Sequence, residues 1–402
     1  MPVHFTHAYL DHAATAPMLP AAISAYAEAM AVVGNPASIH SQGQNAKRML
    51  EEAREQVAAS VGSDPIEVVF TGGGTEAVNL GIKGLYWARA PRTRILVPGG
   101  EHHATVDTVE WLAQQEGANV QWIPLDTLGR IDLAALAAAI AQNPHDVALV
   151  TLLAANNEVG TLQPIREVAS LAAAAGIPVH VDAISAYGHQ PIDFSAWHAV
   201  GVSALSVSAH KIGGPVGIGA LVLSRTATVV PLIHGGGQQR QVRSGTQDVA
   251  AAVSFAVAAT AMTSELESEN RRLRVLRDDV VAGVLAAVPS AVYNGDPDPA
   301  GRLPGNAHFT FPGCEGDSLL FLLDVAGVSV STGSACQAGI PEPSHVLRAM
   351  GRTEAQARSA LRITLGRTST PADVEALLAA LPAAWSQAIG AGMADSAPRA
   401  YT

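Results

Sequence analysis

The sequence predicts an α/β protein of two domains, on three observations. Apolar, β-branched runs alternate with longer helix-patterned stretches through the first two-thirds of the chain, the pattern of a mainly parallel sheet with helices on both faces. The chain has 402 residues, 48% of them hydrophobic, which exceeds the roughly 250–300 residues at which a single core stops growing. From about Thr263 the texture changes to a charged helix, SELESENRRLRVLRDDVVAGVLAAV, as a domain boundary or a connecting helix would produce.

In chain order, strands are expected over 67–71, 94–98, 147–153, 178–182, 204–208 and 219–223, with helices such as 43–60 and 165–175 between them. The first of these helices places Lys47 and Glu51 at i,i+4 on a solvated face. Beyond the charged helix, strands at 306–311, 328–331 and 360–365 and a helix at 317–326 make a smaller unit. The end, 389–402, is Ala, Gly and Ser rich and reads as a flexible tail.

A net charge of −11 without any basic block argues against direct nucleic-acid contact, which needs clustered Lys and Arg. Two cysteines, Cys314 and Cys336, cannot make a disulfide scaffold, and the start MPVHFTHAYLDHAAT lacks the regions of a signal peptide, so a reducing cytoplasm is expected. The apolar run 249–262 is shorter than the about 20 residues a membrane span needs. Only three lysines exist, Lys47, Lys83 and Lys211, which shortens the list of amine nucleophiles.

Three segments suggest a ligand site. Thr71-Gly-Gly-Gly-Thr-Glu76, with Gly74 and Thr75, runs from a strand through glycines into a helix start, where free N–H groups favour an anion. Asp182 ends a buried apolar strand, at the edge where open sheets bind ligands. Ser206-Val-Ser-Ala-His-Lys211 puts a lysine at another strand end, beside a glycine-rich turn, where a depressed amine pKa suits Schiff-base chemistry. Pyridoxal phosphate (PLP) unites them: its phosphate needs an anion site, its ring nitrogen an acid, its aldehyde a lysine.

Two further residues stand out. Cys336, in Gly333-Ser-Ala-Cys336, is surrounded by small polar residues, as in an exposed loop able to deliver a thiolate, whereas Cys314 reads as a core residue. Arg362, inside an apolar strand pattern, wants a carboxylate, either structural or that of an amino-acid substrate.

From Tyr9-Leu-Asp-His-Ala-Ala-Thr15 to about Leu381, the chain resembles the group I, NifS/IscS-like cysteine desulfurases, in the class-V aminotransferase family of fold-type I PLP enzymes. The resemblance runs through Gly34-Asn-Pro-Ala-Ser, Glu101-His102, Asn156-Asn157-Glu-Val-Gly160, Ser208-Ala-His-Lys211, Gly235-Gly-Gly-Gln, Arg243-Ser-Gly-Thr246 and Gly333-Ser-Ala-Cys336. It implies a seven-stranded large domain over 17–262 and a smaller α+β domain, 1–16 with 263–388, carrying the Cys336 loop. By resemblance Lys211 carries PLP, Asp182 partners the ring nitrogen, and His102 stacks on the ring and shuttles protons. Thr75, Ser208, His210 and, from a second subunit of a homodimer, Thr246 would hold the phosphate, with Gly74, Ser185 and Ala209 also among the cofactor-binding positions. Asn157 would lie by the cofactor hydroxyl and the substrate carboxylate, which Arg362 would bind.

The implied reaction converts L-cysteine to L-alanine and leaves a persulfide on Cys336 for an iron–sulfur scaffold or sulfur-carrier protein, including tRNA thiolation relays. No resident metal is implied, only a transient iron–sulfur contact at Cys336. The chain departs from the family at Ser185, where a Gln commonly contacts the phenolic oxygen, so a water or Asn157 must substitute. Ala16 and Ala209 replace a common Thr and Gly. The sequence leaves selenocysteine lyase, cysteine sulfinate desulfination, an aminotransferase or a weakened sulfur-relay homologue as rivals, though a transaminase has no use for Cys336.

Overall fold

The computed structural model describes residues 7–333 and 342–390. Its strands are β1 (Ala8–Tyr9), β2 (Val68–Thr71), β3 (Arg94–Pro98), β4 (Asn119–Ile123), β5 (Val147–Leu153), β6 (Val179–Asp182), β7 (Val202–Ser208), β8 (Gly219–Leu223), β9 (Val292–Asn294), β10 (Asn306–Thr310), β11 (Val328–Ser329) and β12 (Ala360–Thr364). Seven of them form the large sheet, in the order β2-β8-β7-β6-β5-β3-β4. All neighbours are parallel except β8, which runs antiparallel to both β2 and β7.

The expected strands recur within one or two residues, and the small shifts have local causes. Pro178 lacks an N–H, so β6 starts at Val179, while the Pro178 carbonyl still accepts from Val150 N at 3.1 Å. β4 was not anticipated because Asn-Val-Gln-Trp-Ile lacks a continuous apolar run. It is an edge strand paired only with β3, which leaves Asn119 and Trp122 exposed.

Helices cover both faces of this sheet and bury separate apolar clusters. Leu50, Val57, Phe70 and Phe255 belong to one, and Val78, Leu80, Val97 and Leu112 to the other. Lys47 is exposed and Glu51 half-buried, in keeping with a solvated face, and Glu51 pairs with Arg54, Oε2 to Nε at 3.0 Å.

The charged segment at Thr263 continues a helix that is already running. Val249–Ala287 is one helix of 39 residues, about 58 Å at 1.5 Å per residue. Among the described residues it is the one helix long and apolar enough to cross a membrane, so the length argument made on 249–262 does not hold. Its burial answers the question instead: Phe255, Ala256, Ala259 and Met262 sit in the core below the large sheet, and Leu273, Leu276, Val280 and Val284 in a third core.

That third core lies under the antiparallel β9-β10-β12 sheet and takes in Ala8, in the strand β1 that pairs in parallel with β11, and Leu10 just beyond it. Cys314 is buried there, as its sequence context suggested, and burial pushes its thiol up to about 11. The last helix, Pro371–Gly390, includes Ile389 and Gly390, assigned above to the tail; residues 391–402 lie outside the described residues.

Candidate functional site

Parallel strands deliver their C-terminal ends to one edge of the sheet, and the site is assembled there. After β2 the chain turns at Gly73, with φ of 145°, into the Gly74–Ala88 helix. A side chain at Gly74 would place its Cβ 2.4 Å from Ile184 Cδ1 and 3.2 Å from Ser208 Cβ, so glycine lets the helix start approach β6 and β7 closely. Glu76 fixes the turn: its Oε2 accepts from Gly72 N at 2.7 Å, and its Oε1 accepts from Arg243 Nε at 2.8 Å.

Asp182, at the end of β6, is 1% exposed and its Oδ1 accepts from Ile184 N at 2.9 Å. Burial raises its pKa to about 6, opposed by the Ile184 N–H and by Lys211. β7 leads into a short turn, Ala209–Lys211, that ends on the lysine. Lys211 Nζ donates to the carbonyls of Ala13 and Ala14 at 2.5 and 2.8 Å. Burial and then the Arg362 charge lower its pKa to about 8, while Asp11 and Asp182 pull it upward.

His102 is the residue before the His103–Glu116 helix, and its Nδ1 accepts from Ala104 N at 3.0 Å, closing the helix start. Solvent reaches its ring through the cavity, yet the surrounding protein desolvates it. That burial, followed by repulsion from Lys211, His103, His345 and Arg362, lowers its pKa to about 4. His102 is therefore a neutral imidazole at neutral pH. His210 Nδ1 lies 3.2 Å from Thr15 Oγ1, and burial beside Lys211 lowers its pKa to about 4.

Arg362, on β12, donates from Nη1 to Asn157 O at 2.9 Å and from Nη2 to Asp11 Oδ1 at 3.0 Å. Its carboxylate partner inside the protein is thus Asp11, while its Nε is buried without a partner. Asn157 Oδ1 and Ser208 Oγ are also buried and unpartnered, a condition that ligands or ordered water ordinarily relieve.

One cavity of about 410 Å³ joins these groups: Gly74, Thr75, His102, Asn157, Asp182, Ser185, Ser208, His210, Lys211 and Arg362 all line it. Ala209 does not. It is fully buried, and a side chain added at Gly214 would meet its Cβ at 2.9 Å, so the alanine is accommodated because position 214 is glycine. Thr246 is exposed and outside the cavity of a single chain. Cys336 lies outside the described residues, although Ser331, Gly333 and His345 in its flanks line the cavity. Among the described residues no group of three or more His, Cys, Asp or Glu side chains could hold a metal ion.

Sequence reasoning gave no role to Asp11 or Glu101. Asp11 pairs with a residue 351 positions away, and its only signal was membership of the Tyr9–Thr15 motif. Glu101 is fully buried, with Oε1 accepting from Leu153 N at 3.1 Å and Oε2 unpartnered; burial raises its pKa well above the ordinary carboxylate range. Neither pairing has a local pattern.

Known proteins resemble this chain in sequence and fold. The aminotransferase class-V family model matches residues 8–377. An IscS-like cysteine desulfurase of Mycobacterium tuberculosis is 53% identical over 391 residues, covering 96% of this chain and 98% of that protein. A solved NifS-like protein superimposes with a TM-score of 0.86 at 31% identity, covering 95% of this chain and 100% of the other. The structure of SspA in complex with cysteine gives a TM-score of 0.77 at 31% identity, covering 89% and 98%.

Proposed function

Because this chain belongs to the aminotransferase class-V family, we infer that it is a PLP-dependent cysteine desulfurase, converting L-cysteine to L-alanine with a persulfide left on Cys336. The observation that carries this reading is the convergence of Lys211, Asp182 and His102 on one cavity that also contains Arg362.

The residues present fit the cofactor. The unpartnered Ser208 Oγ and Asn157 Oδ1 are polar atoms a ligand would satisfy, and the helix start at Gly74 and Thr75 would favour the phosphate anion. Thr75, Ser208 and His210 would hold the phosphate, Asp182 the ring nitrogen and His102 the ring face, with Thr246 of a second copy completing the site across a homodimer. When bound, the cofactor supplies an aldehyde for Lys211 and an electron sink that weakens bonds at the substrate α-carbon.

The chain's own groups handle binding and protons. With a pKa of about 8, Lys211 has an appreciable neutral fraction near neutral pH, so its amine can act as a nucleophile and proton carrier. His102 is held at Nδ1 by the Ala104 N–H, which leaves Nε2 to exchange protons within the cavity. Arg362, with Nε still free, would orient the substrate carboxylate.

Cys336 would attack the substrate sulfur as a thiolate. An S–S bond forms as the C–S bond breaks, its electron pair stays with the carbon skeleton, and protonation there releases alanine. Overall, Cys336–SH and L-cysteine give Cys336–S–SH and L-alanine. The persulfide would pass to an iron–sulfur scaffold or sulfur-carrier protein in the cytoplasm.

The purified protein should be yellow and should release alanine from L-cysteine, with sulfide appearing once a reductant is added. Lys211→Ala should lose the covalent chromophore, and Cys336→Ala should keep it yet release no sulfide. Sulfide release at the parental rate by Cys336→Ala would refute the persulfide step, and a colourless parent that releases no alanine would refute the enzyme assignment.

A further inference from the structure

β2 is an edge strand of the large sheet, paired only with β8, and the unpaired backbone groups of such an edge need a cover. A side chain provides it. Gln239 Oε1 accepts from Phe70 N and its Nε2 donates to Phe70 O, both at 2.7 Å, so the side-chain amide stands where a neighbouring strand would pair. The buried Arg54 extends the cover, its Nη1 donating to Val68 O at 2.7 Å and to Gln239 Oε1 at 3.1 Å. The backbone that delivers this amide is strained. Gln239, Arg240 and Gln241 have φ of 49°, 60° and 63°, and among the described residues they are the only non-glycine residues with positive φ. Such conformations persist where the surroundings hold them, and the bonds to Phe70 fasten this turn to the sheet. From the turn, further bonds lead towards Thr246. Gln238 Oε1 accepts from Gly245 N at 2.9 Å, Ser244 Oγ accepts from Gly237 N at 3.3 Å, and Arg243 Nε donates to Glu76 Oε1 at 2.8 Å. Thr246 follows directly and is exposed.

We propose that Gln239 is a positioning residue for the cofactor site of a second copy: by clamping the 238–241 turn onto β2, it fixes where Thr246 reaches across the dimer. The proposal rests on the reading above that Thr246 completes the site of a second copy. Gln239 does not line the main cavity of its own chain; it acts through Gln238, Gly245 and Thr246. Its loss therefore weakens cofactor binding in the other subunit's site. β2 also leads into its own chain's helix start at Gly74, so the rival role for Gln239 is support of that chain's own site, and the two roles put the defect in different subunits.

Mixed dimers in which a single site keeps its lysine separate the two. In the first, one chain carries Lys211→Ala with Gln239→Met and the other is parental. In the second, one chain carries Lys211→Ala and the other Gln239→Met. The control joins a Lys211→Ala chain to a parental one. Each dimer is purified through two affinity tags, freed of cofactor and titrated with PLP, and cofactor joined to Lys211 is fixed by borohydride reduction and counted by mass spectrometry. The first dimer should bind PLP about tenfold more weakly than the control, the loss expected for two hydrogen bonds, and the second should match the control. Gln238→Met, which leaves Gly245 N without its partner, should repeat this pattern and decides the question if Gln239→Met does not fold. Thr246→Ala, placed in the same two arrangements, checks the shared site. Control affinity in the first Gln239→Met dimer, or equal weakening in both, would overturn the role of Gln239 alone, provided Thr246→Ala weakens binding in the first arrangement. No effect of Thr246→Ala there would refute the shared site, and the role of Gln239 with it.

Discussion

Replacing Arg362 by lysine separates the two roles its position allows, partner of Asp11 and anchor of a substrate carboxylate. Its backbone is fixed on both sides of the strand edge, with Arg362 N donating to Ser331 O at 2.6 Å and Ser331 N donating to Arg362 O at 3.1 Å. Asp11 takes only Nη2 and the Asn157 carbonyl only Nη1, so Nε is left buried and unpartnered. A substrate carboxylate would satisfy it, and a charge-assisted hydrogen bond contributes about 1.5–3 kcal/mol. Lysine keeps the charge but loses the fork, so kcat/KM for L-cysteine should fall about 10- to 150-fold. The carboxylate is bound in ground and transition states alike, which places the loss in KM rather than kcat. Initial rates of alanine release across a range of L-cysteine concentrations provide the assay. L-Cysteinamide, which lacks the carboxylate, should compete equally well in parent and variant. A KM for Arg362→Lys within experimental error of the parent would refute substrate anchoring and leave Arg362 as the structural partner of Asp11.

Other perturbations follow from the same geometry. In cofactor-free protein the Asp182 pKa is raised from the ordinary 3.8 to about 6, so its contribution to stability is fully present below about pH 4 and is lost as pH rises through 6. Asp182→Asn should therefore be more stable than the cofactor-free parent at pH 8, by roughly 3 kcal/mol, and the gap should close towards pH 4; urea unfolding at both pH values checks this. With cofactor, the same variant should be nearly inactive. His102→Gln should keep the chromophore and lower kcat by roughly 10²- to 10⁴-fold, measured as alanine release under saturating L-cysteine. Gly74→Ala would force a Cβ against Ile184 and Ser208 and should weaken cofactor binding about tenfold or more, read by titrating cofactor-free protein with PLP.

What the sequence made legible and what it hid divide along a physical line. Strands such as Arg94–Pro98 and Val147–Leu153 were readable because burial on both faces makes them continuous apolar runs. Asp182 and Lys211 were readable because a charged residue ending such a run has few structural explanations. β4 carries no such run, and the Val249–Ala287 helix looked like two segments because its apolar and charged halves serve different cores. The pairings that tune the site were invisible for another reason: Arg362 with Asp11, and Lys211 with the carbonyls of Ala13 and Ala14, join positions far apart in the chain.

These pairings explain the placement of the amino-terminal segment. Leu10 packs in the core under β10 and β12, yet residues 11 to 14 hold Arg362 and Lys211, one on each side of the cavity's chemistry. The segment connects the smaller core to the lysine at the edge of the large sheet. Asp11 also opposes the effect of Arg362 on Lys211, since the arginine lowers the amine's pKa and the aspartate raises it. Burial is the main reason the amine lies near 8, and two of the charges that adjust it further bind each other, so movement of Arg362 towards a substrate carboxylate would change the charge seen by Lys211. In this geometry any ligand that draws on Arg362 would alter the proton affinity of Lys211 through one ion pair, whose two members lie 351 positions apart in the sequence.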